Sequence, residues 1–366
     1  MKKMKIAVFS FPMETRFGGP PVAVVNICNE LSNHFQVNLI VVGRYDAKFI
    51  EEISSEVSIH YQKALSINVN RFFFGFNSNI RKVIRTSNVL LNHGFYSMTF
   101  LNLLLHTRDG HIKRIMPHGV FEIYQQNVSK LRKVIFDYVA RKLGFSTSWK
   151  FLVASESELI GVKSRFSEHS ALVVGIPIKR TTLKSARRVL NNGPIKILHL
   201  GRIAKKKRID LTLRVIPRLL SSGLDVEFHI AGNGDAELTK DLKKLAGELE
   251  IERIVFFHGL LIGESKFELM RSCHIFALPS ENENYAIAVK ESLLLGIPCI
   301  VTKEVALSVE VEKYEAGIVL GNYSDEEYFA SFIKLISNYS KFSENAWAYE
   351  SRRDSDSWSV WSKALS

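Results

Sequence analysis

Cysteine is scarce in this 366-residue chain: Cys28, Cys273 and Cys299 are odd in number and show neither metal-ligand nor redox spacing. A disulfide scaffold is excluded, and the three thiols read as reduced core residues of a cytoplasmic protein. Long apolar runs are missing too. The longest candidate, 293–301, is interrupted by Gly296 and Pro298, far short of the roughly 20 residues that a membrane-crossing helix needs. No secretory leader is expected, because Lys2 and Lys3 run straight into a short strand, Ile6 to Phe9, which the polar stretch to Arg16 breaks. Short repeats and low-complexity tracts are lacking, which argues against solenoid and linker-rich architectures.

What is present is the balance of a packed globular protein, with 46% hydrophobic and 23% charged residues. The length suits two domains better than one core. Charge is uneven along the chain: up to residue 180 there are 24 Lys and Arg against 12 Asp and Glu, and beyond it 25 against 25, so the first half carries the whole net charge of +12. A one-sided positive field favours an acidic partner such as an anionic membrane face, a phosphorylated lipid or a nucleic acid; a well-solvated basic surface is the alternative.

Short β-rich runs alternate with amphipathic stretches at Ile6 to Phe9, Val37 to Val42, Val57 to Tyr61, Val89 to Leu91, Ile112 to Met116, Phe151 to Ala154 and Ala171 to Val174. The rhythm restarts at Ile195 to Leu200, Val226 to Ala231, Ile254 to Phe257, Ile275 to Leu278, Cys299 to Thr302 and Ile318 to Leu320. This predicts two α/β domains with doubly wound parallel sheets, residues 1–180 and 195–342, joined by a polar linker at 181–194, with a C-terminal helix at about 343–366 returning to the first domain. Such sheets hold ligands at the carboxyl edges of their strands.

Three segments of the second half carry chemistry. In Pro279 to Ala286 and the helical stretch beyond it, Glu283 and Glu291 stand eight residues apart. On a helix starting just after Glu283 they are separated by about 12 Å of rise and some 80° around the axis, so both can line one cleft. Each carboxylate can accept two sugar hydroxyls; a helix cap and a buried charge are the alternatives. His199 to Asp210 places Arg202 and the run Lys205-Lys206-Lys207-Arg208 between a strand end and a helix, where a pyrophosphate sits well. Ala231-Gly232-Asn233-Gly234 is a tight turn that lets backbone approach a nucleotide. In the first half, Gly18-Gly19 opens a helix from Val22 to Leu31, and His118-Gly119 follows a strand; His93-Gly94 is a weaker copy that reads as structural.

Together these segments resemble the retaining glycosyltransferases of family 4, with the GT-B fold of two Rossmann-like domains. The resemblance runs nearly the whole chain: Gly18-Gly19, His118-Gly119, Ser155 to Glu158, Gly201-Arg202 with Lys207, Gly232-Asn233-Gly234 and the Glu283/Glu291 pair. It implies that Arg202 and Lys207 hold the donor diphosphate, Glu291 the ribose, Glu283 and the backbone of Asn284, Tyr285 and Ala286 the donor sugar, and His118 the sugar near the reacting carbon. Gly19 would touch the phosphate or acceptor, with Gly232 also at the donor. Three positions depart from the family pattern: Arg208 and Ala286 stand where glycine is usual, and Val174-Gly175-Ile176-Pro177 where Asn-Gly is common. Lys206 is a possible substitute for Lys207.

The implied reaction transfers a hexosyl unit from a UDP- or GDP-sugar to a hydroxyl with retained configuration, by front-face attack, with no covalent nucleophile and no obligatory metal; Asp354-Ser355-Asp356 sits in a polar tail and does not read as a metal motif. Basic and aromatic residues mingle at Arg71-Phe72-Phe73-Phe74, Phe76, Arg81-Lys82 and Arg85, and again at Lys130, Arg132-Lys133 and Arg141-Lys142. These suit an anionic membrane surface. The expectation is a bacterial enzyme extending a glycan or lipid-linked saccharide in surface polysaccharide synthesis (lipopolysaccharide O-antigen, capsule or exopolysaccharide), cytoplasmic and peripheral on the inner membrane face. A nucleotide-sugar epimerase of the same build is the rival. A nucleic-acid binder ranks last because it has no use for the glutamate pair, so no nucleic-acid partner is expected.

Overall fold

The computed structural model describes residues 3–10, 12–67, 70–122, 129–178, 189–190, 193–352 and 357–366. Much of the expected linker, and Asp354-Ser355-Asp356, lie outside the described residues. The chain divides into two units, Met1–Lys179 with Ser355–Ser366, and Arg180–Asp354.

The first unit runs β1 (Lys5–Phe9), α1 (Gly19–Ser32), β2 (Gln36–Val42), α2 (Ala47–Glu51), β3 (Ser58–Gln62), β4 (Leu65–Ile67), β5 (Asn70–Phe72), α3 (Ser78–Thr86), β6 (Val89–His93), α4 (Met98–Leu104), β7 (Ile112–Met116), α5 (Lys130–Lys142), β8 (Trp149–Val153), α6 (Glu156–Arg165) and β9 (Ala171–Val173). Its parallel sheet has the order β3-β2-β1-β6-β7-β8-β9, with β4 and β5 forming a separate antiparallel hairpin. The strands read as apolar runs because both faces are covered, as parallel sheets require. The core is aromatic: Phe95 lies within 6 Å, ring centroid to centroid, of Phe100, Phe121, Phe136, Phe151 and Phe166. Local signals set the helix starts. Asn77, Ser97 and Ser155 cap α3, α4 and α6 through their side-chain oxygens, each satisfying an otherwise orphaned N–H.

The second unit runs β10 (Ile195–Leu200), α7 (Ile209–Ser221), β11 (Val226–Ala231), α8 (Ala236–Glu248), β12 (Val255–Gly259), α9 (Gly263–Ser272), β13 (Ile275–Leu278), α10 (Ile287–Leu294), β14 (Cys299–Thr302), α11 (Ser308–Lys313), β15 (Gly317–Leu320), α12 (Asp325–Ser337) and α13 (Tyr339–Arg352). Its sheet order is β12-β11-β10-β13-β14-β15. The order reverses between β10 and β13, which makes their carboxyl ends the natural crevice of this unit. The core here is mostly aliphatic, built from Ile195, Ile197, Leu213, Val215, Ile216 and Ile230 among others, with Phe228, Tyr328 and Phe332 added.

The last helix, α14 (Ser357–Leu365), belongs to the first unit. Trp358 stacks on His34 with centroids 3.6 Å apart, Trp361 is buried, and the Arg114 guanidinium donates to the Ala364 carbonyl. Every strand expected from the sequence forms within a residue or two of its expected ends; the β4–β5 hairpin is additional. Among the described residues no helix is long and apolar enough to cross a membrane. All three cysteines are buried and free.

Candidate functional site

In the second unit, the loops leaving β10 and β13 meet at the switch point. Lys207 Nζ lies 2.5 Å from Glu283 Oε1. Lys206 Nζ is 3.7 Å from the same oxygen and donates to the Asn282 carbonyl at 3.0 Å. Backbone ties hold the two loops together: Glu281 N–H donates to the Lys206 carbonyl at 2.7 Å, and the Ser280 hydroxyl to the same carbonyl at 3.0 Å. Ser280 also lies 3.1 Å from Glu283 Oε1. Burial pushes the Glu283 carboxyl up, but Lys207, Lys206 and Ser280 outweigh it and hold the group ionised below the usual range. Burial pulls Lys207 the other way, lowering its proton affinity despite Glu283, and the cations Lys206 and Arg202 lower it further. A buried ammonium beside two cations favours an incoming anion.

Arg202, at the end of β10, is exposed and has no partner among the described residues. Lys206 and Lys207 differ in setting: Lys207 is buried against Glu283, whereas the Lys206 side chain is 38% exposed. The neighbouring pocket of about 290 Å³ is lined by Lys205, Arg208, Asp210, Leu238, Leu242 and Glu281 among others, and by none of Arg202, Lys207, Glu283 and Glu291.

The glutamate pair is built differently from the expectation. Helix α10 starts at Ile287, not just after Glu283. Glu283 instead sits in a single β-bridge to Val305, its N–H donating to the Glu304 carbonyl at 3.0 Å. The intervening Ala286 has φ 54 and Arg208 has φ 47. These are the two positions where the resemblance to family 4 leads to glycine being expected, and both backbones are left-handed, the conformation that glycine adopts without cost. Arg208 is held there by Asp210 at 3.2 Å and Glu281 at 3.4 Å. Glu291, on α10, is 2% exposed and pairs at 2.6 Å with Lys266 of α9, a residue that no pattern in the sequence singles out. Of the segment 284–286, Tyr285 is buried, with its hydroxyl accepting from Lys290 Nζ at 3.0 Å.

Gly232 and Gly234 permit a backbone approach, and the structure shows to what: a Cβ at Gly232 would lie 1.8 Å from the Gly201 carbonyl oxygen, and one at Gly234 1.9 Å from that of Ile203. The turn after β11 thus packs on the loop that carries Arg202.

In the first unit, Gly19 is the first residue of α1, with open space where a Cβ would stand. Pro20 and Pro21 follow in the first turn, where missing N–H groups cost nothing. His118, at the carboxyl edge of β7, has φ 58, and non-glycine residues in this region gather at functional sites. Its Nε2 lies 2.6 Å from Nδ1 of His93, so one nitrogen donates and the other accepts. Burial lowers His93 well below the usual histidine range and His118 to about 4, leaving both rings neutral at pH 7. His93 is therefore the direct partner of His118, foreshadowed only by the repeated His-Gly pattern. Glu158 is the second residue that the sequence left without a role: fully buried, it accepts from Gly119 N–H and, at 3.0 Å, from Ala154 N–H, while Ser155 Oγ caps the Glu158 N–H. It pins the turn that holds His118.

Of the two basic and aromatic segments, the first contributes to the core: Phe73 and Phe76 belong to the buried cluster, Phe74 is fully exposed, and the side chains of Arg71 and Phe72 lie outside the described residues.

Residues 181–353 match the family described as "Glycosyl transferases group 1". Among curated proteins, the chain is 25% identical over 244 residues to the phosphatidylinositol N-acetylglucosaminyltransferase gpi3 subunit of Schizosaccharomyces pombe, covering 63% of this chain and 50% of that one. It is 24% identical over 197 residues to a D-inositol 3-phosphate glycosyltransferase of Corynebacterium kroppenstedtii, covering 51% and 40%. The chain spans half or less of the length of these relatives. Among solved structures, HepE from Anabaena in complex with UDP and glucose superposes with TM-score 0.74 at 14% identity, over 98% of each chain. TarM superposes with TM-score 0.76 at 12% identity over 99% and 98%, and WaaG, a glycosyltransferase involved in lipopolysaccharide biosynthesis, with 0.66 at 14% over 99% and 98%. The fold is GT-B, two parallel-sheet α/β units, as the sequence led us to expect.

Proposed function

We propose that this protein is a retaining glycosyltransferase of family 4 that moves a hexosyl unit from a UDP- or GDP-sugar to a hydroxyl of a glycan, with no obligatory metal. The observation that carries the reading is the Lys207–Glu283 pair at the switch point, beside an Arg202 that has no partner among the described residues. Three cations gathered at the end of β10 suit a diphosphate, whose charge grows as the sugar departs, and preorganised charge of this kind is where most rate enhancement resides. In this reading Arg202 and Lys207 hold the diphosphate and Glu291 the ribose. Glu283 with the backbone of Asn284 to Ala286 holds the sugar, His118 acts near the reacting carbon, and Gly19 meets phosphate or acceptor. A neutral His118 can accept a sugar hydroxyl without repelling a cationic centre. The glycosyltransferase names of the relatives, and UDP in the complex of HepE, support the same chemistry.

The acceptor in this reading is a lipid-linked saccharide of bacterial surface polysaccharide synthesis, met at the anionic inner face of the cytoplasmic membrane. The uneven charge of the chain supports that part. A panel of UDP- and GDP-sugars screened by thermal shift and by release of nucleotide tests the whole: one donor should raise the melting temperature and be consumed faster with acceptor. Anomeric coupling in the product reports retention. Protection by no nucleotide sugar sinks the reading, and interconversion of free donor without acceptor replaces it with an epimerase.

A further inference from the structure

Helix α5 (Lys130–Lys142) presents an apolar stripe to solvent. Leu131, Val134, Ile135 and Tyr138 are 73%, 57%, 55% and 64% exposed. Their spacing of i, i+3, i+4 and i+7 is one face of a helix, and at about 100° per residue the four side chains span an arc of about 100°. The opposite face holds α5 to the unit. Ala140 is buried and Phe136 packs on Phe95, Lys133 Nζ lies 5.3 Å from the Tyr96 ring centroid, and Asp137 pairs with Arg165 at 2.5 Å. The helix is thus anchored on one side and unmatched on the other.

Charge decides what the stripe fits. Arg132 falls on one flank and Lys130 on the other, with Lys142 at the C-terminal end beside Tyr138; Arg141, on the Lys130 flank, is paired with Glu168 at 2.8 Å and adds no free charge to the rim. The one carboxylate of the helix, Asp137, is turned to the packed side and neutralised there. A second copy of this chain docked through the same face would set like charges against each other across a two-fold axis. An anionic lipid surface complements both parts, apolar side chains entering the acyl boundary and cations meeting headgroups.

We propose that the outer face of α5, the stripe Leu131/Val134/Ile135/Tyr138 with its basic rim, is the element that seats this protein on anionic membrane. The inference rests on the membrane part of the function proposed above and assigns it to one helix, away from the Phe73–Phe76 segment, whose rings are largely core. The first turn of α5 stands beside Tyr96, three residues past His93 at the carboxyl end of β6.

The test is co-sedimentation of the full chain with phosphatidylcholine vesicles, with and without about one third phosphatidylglycerol, in the absence of donor and acceptor. The parent protein should bind the anionic vesicles and leave them on addition of salt. Val134→Asp/Ile135→Asp should lower partitioning more than tenfold, and Lys130→Glu/Arg132→Glu should lower it on anionic vesicles, with melting temperatures unchanged because all four sites are exposed. Parental binding by Val134→Asp/Ile135→Asp overturns the proposal, as does a parent that ignores anionic vesicles. A parent dimer that this double variant turns into monomer, with no vesicle binding by either, also overturns it in favour of self-association. Thermal protection by nucleotide sugars, measured without vesicles, reports the transferase reading separately.

Discussion

Lys207 Nζ and Glu283 Oε1, 2.5 Å apart, join the loop after β10 to the loop after β13. Removing one partner of such a buried pair strands the other charge, at a cost of about 3–5 kcal/mol, whereas replacing both with neutral groups of similar volume can be nearly neutral. Lys207→Met and Glu283→Gln should each lower the melting temperature markedly, and Lys207→Met/Glu283→Gln should recover most of it. Sugar transfer should fall by orders of magnitude in all three. A double variant with restored activity as well as stability would show that the pair is structural only.

Arg202 makes the opposite prediction for stability. It is exposed and unpartnered among the described residues, so Arg202→Ala should unfold within about 0.5 kcal/mol of the parent. Turnover should nevertheless fall on the order of 100-fold, the typical effect of removing one preorganised donor from a site of developing charge. Unchanged turnover would remove Arg202 from the diphosphate site.

Glu158 acts on His118 through the backbone of Gly119. Its two accepted N–H bonds need two acceptor oxygens, and Glu158→Gln replaces one of them with a donor facing another donor. The turn at His118, already left-handed at φ 58, then loses its clamp. If His118 touches the sugar, kcat should drop in Glu158→Gln while donor affinity in the second unit, read by thermal shift with UDP or GDP, stays at the parental value. Parental kcat would make Glu158 a residue of the core alone.

The depressed histidines set an acid limit. His118 titrates near 4, His199 near 3, and His93 well below its ordinary range, all because burial disfavours the imidazolium. Above about 6.5 these rings are neutral in both folded and unfolded chains and contribute no pH dependence. Below it the unfolded chain takes up protons that the folded chain refuses, so stability falls as pH drops from about 6.5 towards 4. Glu283, lowered from its usual value, adds a loss further down, below about 4.5. Melting temperature should therefore decline from pH 7 to pH 5, and His118→Asn should decline less; equal slopes would contradict the burial argument.

The parallel strands were legible because each is a short apolar run bounded by turn residues, from Ile6 to Phe9 through Ile318 to Leu320. The β4–β5 hairpin was not, since its short strands Leu65–Ile67 and Asn70–Phe72 are broken by Ser66, Asn70 and Arg71 and form no apolar run. Charged residues at strand ends were visible as candidates, but their pairing was not. Nothing in the sequence distinguishes Lys207 from Lys206 until the fold buries one of them, and Lys266 meets Glu291 across 25 residues of chain with no local pattern to announce it. Propensity allows a helix from Asn284 onward, but α10 starts at Ile287, and Glu283 is committed to a bridge with Val305, a partner set by the neighbouring strand β14. His93 repeated the His-Gly pattern of His118, but only the adjacency of β6 and β7 puts the two rings in contact.

The approach of Gly234 to Ile203 supplies a steric test of the donor loop. A methyl group there would lie 1.9 Å from the Ile203 carbonyl oxygen, and the obstacle is backbone, which cannot swing aside as a side chain can. The bridge between these two residues, closed by Asp235 N–H donating to the Ile203 carbonyl at 3.2 Å, must open to make room. Gly234→Ala should therefore cost about 3 kcal/mol, the upper end of ordinary overpacking, and should abolish thermal protection by the donor because the displaced loop carries Arg202. Gly247→Ala is the control. It lies exposed in α8 with open space around the added carbon, and should raise stability by about 0.5–1 kcal/mol through helix propensity. Equal stability of the two variants would mean that the turn after β11 does not brace the Arg202 loop, and that Gly232 and Gly234 owe their place to some other constraint.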